Sequence, residues 1–141
     1  MDRIKKKVGT INYKKGQWFL LGCFCYIILH EITHLIFMKL FSREKINISI
    51  KFPTISVGSG AKFNKMQFTI IALAPVVILG CILVLLIIFT KRNYTFLWTI
   101  LLILNFAGSS GDYMQFFKIR EYPSNTYFQD NSDETVIYQE Q

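Results

Sequence analysis

His30-Glu31-Ile32-Thr33-His34 puts two imidazoles and a carboxylate within five residues, and its two histidines are the only ones in the chain. On a helix, residues four apart project from one face, one turn above the other. Two imidazoles stacked in this way can hold a zinc ion, with Glu31 beside them as a general base toward a water on the metal. The motif sits inside a long apolar run, QWFLLGCFCYIILHEITHLIFMKL. Ionisable groups in a membrane-spanning stretch are costly, so three of them together mark function by default.

The elements that must position these groups follow from composition. Apolar residues make up 52% of the 141 positions, and the mean hydropathy is +0.34, too high for an ordinary soluble domain of this size. Three stretches reach the ~20 apolar residues a bilayer crossing needs: Gln17 to Leu40, Met66 to Thr90 and Tyr94 to Phe117. A soluble bundle is excluded by Ile78 to Phe89, which has no polar face. The fold class expected is mainly α and integral to a membrane: three transmembrane helices, a short β-hairpin-like loop between the first two, and a small extended C-terminal tail. All of 1–141 forms one membrane-embedded domain, with spans at about 17–40, 66–90 and 94–117, an extended loop at 41–65 and a polar tail at 118–141. The apolar run through the motif has no small-x-small cleavage site after it, so it reads as a retained helix and not a signal peptide.

The net charge of +7 is not a nucleic-acid signature, because the basic residues flank the spans, as juxtamembrane Lys and Arg do. The expected partners are the lipid bilayer and a membrane-protein or peptide substrate, with no nucleic acid. Cys23, Cys25 and Cys81 all lie within spans and read as small apolar residues.

A catalytic zinc takes three protein ligands and leaves a position for water. With no third histidine, the remaining ligand must be a carboxylate or a cysteine, and depth along the helices chooses among them. Spans one and three run in the same direction. His30 and His34 lie ~18 and ~24 Å along their helix from Trp18, and Asp112 lies ~27 Å along its own from Tyr94. The three groups therefore sit at one level, whereas Cys23 is two turns from His30 on the same helix. Asp112 ends Gly108-Ser109-Ser110-Gly111, small residues that let another backbone approach and loosen the helix enough to admit water. Asn105, seven residues earlier, faces the same side and is a candidate for orienting a ligand or substrate.

Between the first two spans, Ile46 to Phe52 alternates apolar and polar with period two. Pro53, Thr54 to Val57 and the Gly58-Ser59-Gly60 break follow, which reads as a short hairpin or a pair of extended segments. Ile55, Ser56 and Val57 are candidates for holding an unwound substrate by strand addition. Pro75 removes a backbone hydrogen bond from the second span and kinks it. Lys91-Arg92-Asn93 makes spans two and three antiparallel neighbours. In the tail, Thr126 to Gln129 and Thr135 to Tyr138 flank an acidic turn, so either a second small hairpin or a disordered segment is expected.

An HExxH in one span with an Asp beside Gly in a later one resembles the site-2 protease group of intramembrane zinc metalloproteases. The His-Glu-Ile-Thr-His motif, Ala74-Pro75 and the Asn105…Gly108-Ser109-Ser110-Gly111-Asp112 segment more closely resemble a family of short bacterial membrane proteins grouped as zincin peptidases. The sequence departs from the Leu-Asp-Gly or Asn-Pro-Asp-Gly form of site-2 proteases, since Gly111 precedes Asp112 and Tyr113 follows it. The resemblance implies a peptidase of the bacterial cell membrane. The expected mechanism is zinc held by His30, His34 and Asp112, with Glu31 as general base in peptide hydrolysis. Two other classes compete: a non-catalytic membrane protein with a structural metal site, against which the intact Glu31 argues, and a metal-ion carrier. Sidedness is undecided, because eight basic residues flank each face of the spans.

Overall fold

The computed structural model describes residues 13–51, 54–132 and 134–139. The basic segment 1–12, Pro53, and Asp133 and Glu140 of the acidic tail lie outside them. Helix α1 (Tyr13–Phe41) is followed by strands β1 (Ile46–Lys51), β2 (Thr54–Ser59) and β3 (Phe63–Asn64). Helices α2 (Lys65–Phe89), α3 (Arg92–Gly108) and α4 (Ser110–Arg120) come next, and β4 (Thr126–Asp130) and β5 (Thr135–Gln139) close the chain. Three helical tracks are long and apolar enough to cross a membrane: Gln17–Phe41, Lys65–Phe89 and Arg92–Arg120.

Helix α2 is the central element. Phe68, Ile71, Ala72, Ala74, Val76, Leu79 and Leu83 are buried against its neighbours. The outward faces carry exposed large apolar residues, among them Trp18, Phe24, Ile36, Ile88, Phe89, Phe96 and Phe106. Among the described residues nothing covers this apolar face, whose extent matches a hydrocarbon surround.

Both hairpins expected from the sequence are present. Strands β1 and β2 pair antiparallel from Ile46↔Ser59 to Lys51↔Thr54, and β4 pairs with β5 from Thr126↔Gln139 to Asp130↔Thr135. Of the two readings of the tail, the described residues follow the hairpin, with strand at Thr126–Asp130 and Thr135–Gln139. It is joined by β3, within the stretch expected as extended loop: Phe63 pairs with Phe128 and Asn64 with Tyr127, giving the order β3-β4-β5. Asn64 ends β3 and also caps α2. Its side chain accepts from Gln67 N at 2.9 Å, and its N–H donates to Gln67 Oε1 at 3.1 Å, a reciprocal capping box. Met38, Val57, Phe63, Phe68, Ile119 and Phe128 form one core that joins both hairpins to the helices. The stacked rings of Phe68 and Phe128 lie 5.4 Å apart at its centre.

The expected third span is present as the track Arg92–Arg120, with one interruption inside it. Ser109, whose ψ of 21° leaves the helical range, divides the track into α3 and α4. The buried Ser109 hydroxyl donates to the Asn105 carbonyl at 2.8 Å, competing locally with the helical ladder. The small residues here do not serve a close backbone approach, since a Cβ added at Gly108 or Gly111 would meet nothing within 4 Å.

Candidate metal centre

His30 and His34 occupy successive turns of α1, and Asp112 lies in the first turn of α4. The break at Ser109 matters here, because it makes Asp112 an N-terminal residue of a new helix. Carboxylates are stabilised by the positive end of the helix dipole. His30 Nε2 lies 3.3 Å from Asp112 Oδ2, and His34 Nε2 lies 3.4 Å from Asp112 Oδ1. These donor atoms all fall within 4.8 Å of one another. Sequence depth alone had brought the three residues to one level, and the fold brings them into one cluster.

The other ring nitrogens are engaged too. His34 Nδ1 lies 2.9 Å from the Ile71 carbonyl oxygen of α2. A carbonyl can only accept, so Nδ1 carries the hydrogen and Nε2 of the neutral ring presents a lone pair. His30 Nδ1 lies 3.4 Å from the Tyr26 hydroxyl, whose own proton goes to Asn105 Oδ1 at 2.8 Å. Asn105, fully buried, donates in turn to the Val76 carbonyl at 2.9 Å. Both Nε2 lone pairs thus face carboxylate oxygens, and Asp112 Oδ2 is buried without a hydrogen bond. Lone pair against lone pair is repulsive unless a cation lies between them. Two imidazole nitrogens and one carboxylate are the donor set of a catalytic zinc site, and fixed Nδ1 partners are its usual outer shell. The residues present fit the metal.

A cleft of about 240 Å³ opens onto this cluster, lined in part by Glu31, His34, Asp112, Ser56, Val57 and Gln115. Its far wall is the β4–β5 turn, with Asp130, Ser132, Glu134 and Thr135. Of the candidates in the first hairpin, Ser56 and Val57 line the cleft and Ile55 does not. Asn105 does not reach the cleft; it acts on the site through Tyr26. Asp130 accepts from Ser132 N at 3.0 Å, the Asx-type bond of a tight turn, and from the Gln115 side chain. Burial is the largest influence on its carboxyl and pushes it above the usual carboxylate range, and Asp112 adds to the rise. The two hydrogen bonds and nearby His34 oppose it.

Sequence reasoning missed Tyr26, the Ile71 carbonyl and the acidic turn. Tyr26 had a signal, since it precedes His30 by four residues and shares its helical face. The others had none, because a backbone atom has no letter and the docking of the tail is a long-range event.

No curated protein and no solved structure matches the chain. A family model does match, over residues 23–127, a segment that contains all three clustered donors, Glu31 and the Tyr26–Asn105 pair. That covers well over half of the chain, which therefore belongs to the family described as "Putative zincin peptidase".

Proposed function

We propose that this protein is a membrane-embedded zinc metallopeptidase that hydrolyses peptide bonds. Its site-2-protease-like character would be the placing of an HExxH and a helical aspartate inside membrane-spanning segments. The observation that carries the reading is the pair of histidine Nε2 atoms turned toward Asp112, which lines a cleft together with His34 and Glu31. His30, His34 and Asp112 would hold the zinc. When bound, zinc supplies Lewis acidity, lowering the pKa of water toward neutrality and polarising a carbonyl.

The chain's own groups supply the rest. The Glu31 carboxylate takes a proton from the attacking water and returns it to the leaving amine. The Ile71 carbonyl and the Tyr26 hydroxyl hold the imidazoles in register by accepting at Nδ1. A helical substrate must unwind before cleavage, because its carbonyls are occupied in hydrogen bonds. The outer edge of β2 at Ser56 and Val57 offers a backbone on which an unwound segment can add as a strand. Asp130 and Glu134 on the opposite wall make the cleft electronegative and favour segments bearing Lys or Arg.

The test is zinc content and peptide cleavage by the purified protein beside Glu31→Gln, His34→Ala and Asp112→Asn variants. About one zinc per chain, lost in the last two and kept in Glu31→Gln with cleavage abolished, is the expected outcome. Cleavage surviving in Glu31→Gln would sink the mechanism. Absence of zinc from the folded parent would turn the reading toward a non-catalytic membrane protein.

A further inference from the structure

Pro75 lies in the middle of α2, a helix with no other proline. In an α-helix the N–H of residue 75 would bond to the carbonyl of residue 71. Proline has no N–H, and its ring crowds the carbonyl four residues back. The carbonyl released in this way is Ile71, and its oxygen is the one that accepts His34 Nδ1 at 2.9 Å. The next carbonyl after the proline, Val76, accepts Asn105 Nδ2 at 2.9 Å, and Asn105 holds Tyr26 against His30. Both outer-shell chains of the metal cluster therefore end on the same stretch of α2, the first on the carbonyl that Pro75 frees.

We propose that Pro75 is a positioning residue for the metal site: by withholding a backbone donor it reserves the Ile71 carbonyl for His34, fixing that imidazole with Nδ1 protonated and Nε2 turned to Asp112. The packing around it suits this role. Ala72 and Ala74, near the freed carbonyl, are buried small residues, and α1 lies within hydrogen-bonding reach of an α2 main-chain atom. A proline kept merely to bend the helix would not need its freed carbonyl to meet a ring nitrogen of the HExxH motif. This inference rests on the zinc-site reading above but can be read out without metal.

The experiment compares the full-length parent, Pro75→Ala, and a chain in which lactic acid replaces Pro75. The lactic acid chain lacks both the ring and the N–H, whereas alanine restores the N–H. Zinc affinity is measured by competition with a chromophoric chelator, and the His34 tautomer by ¹⁵N-imidazole NMR of the metal-free protein. Loss of outer-shell support for a ligating histidine costs roughly 10- to 100-fold in metal affinity. Pro75→Ala is expected to fall in that range with a mixed His34 tautomer, while the lactic acid chain keeps the parent's affinity and tautomer.

Parent-like zinc affinity and tautomer in Pro75→Ala would overturn the proposal, as would failure of the lactic acid chain to retain them. If Pro75→Ala does not fold, the lactic acid chain decides alone. If the parent binds no zinc, the metal-site reading fails, and the tautomer comparison still tests whether Pro75 sets the ring.

Discussion

At His34 the chemistry is decided by which ring nitrogen holds the hydrogen, and a backbone carbonyl makes that choice. At His30 the same choice passes through a phenol. Tyr26→Phe removes the oxygen that lies between His30 Nδ1 and Asn105. It leaves the fully buried Asn105 Oδ1 short of its donor, and an unsatisfied buried acceptor costs about 1–3 kcal/mol. The expected result is a lower thermal midpoint together with about 10-fold weaker zinc binding, seen in the same chelator competition. An unchanged zinc affinity would confine Tyr26 to packing.

Asp130 gives a pH-dependent prediction outside the spans. Its carboxyl is raised chiefly by burial, so the folded protein holds this proton more tightly than the unfolded chain does. Stability from this group is complete below the unfolded pKa of about 3.9, and it is lost as pH rises through the folded value. Asp130→Asn keeps an acceptor for Ser132 N but carries no charge. In the metal-free protein its melting midpoint should exceed the parent's at neutral pH, with the gap closing toward about pH 4. A gap independent of pH would refute the linkage.

Among the elements, the two hairpins meet where β2 has no side chain to obstruct them. A Cβ on Gly58 would fall 2.6 Å from the Asn131 carbonyl carbon and 2.7 Å from the Asp130 carbonyl oxygen, and would collide with Ser132 N. These are backbone atoms and cannot swing aside, so Gly58→Ala must push the β4–β5 turn off β2. Overpacking of this kind typically costs about 1–3 kcal/mol. The expected outcome is faster proteolysis at the 131–134 turn and a lowered midpoint. Gly60→Ala, where nothing lies within 4 Å, serves as the neutral control.

The elements also show what could be read from the sequence. The period-two run at Ile46 to Phe52 pointed to the first hairpin, because strand alternation is a local property, whereas the segments at Thr126 and Thr135 left a hairpin and a disordered tail both open. The HExxH spacing fixed one face of α1 in the same way, and the depth of Asp112 followed from helix rise. The break at Ser109 was visible only as a cluster of small residues, since a side-chain bond to the Asn105 carbonyl decides it. The docking of the Asp130–Glu134 turn over the cleft was illegible, because it depends on Phe128 packing against Phe68 some 60 residues earlier in the chain.

Taken as a whole, the molecule is polarised along its helices. Both sheets sit where α1 ends, α2 begins and α4 ends, and that end carries the cleft and the core of Met38, Phe68, Ile119 and Phe128. The opposite end consists of the start of α1 and the Thr90–Lys91 link between α2 and α3. Of the sixteen basic residues, Arg3, Lys5, Lys6, Lys7, Lys14 and Lys15 precede the first span in the sequence, and Lys91 and Arg92 lie at the link of that second end. Lys39, Arg43, Lys45, Lys51, Lys62, Lys65, Lys118 and Arg120 flank the first end. The positive-inside rule is balanced eight against eight and cannot orient the protein, but the fold dictates that the two ends face opposite compartments if the three tracks cross the bilayer. Asn93 and Ser124 are exposed, one at each end. With Cys23, Cys25 and Cys81 replaced by alanine, Asn93→Cys and Ser124→Cys should react with a membrane-impermeant maleimide from opposite sides of sealed vesicles. Reaction from the same side would refute a three-span arrangement. The side that labels Ser124→Cys is the side on which the cleft opens and, under the proposed function, the compartment from which a substrate segment and water would enter.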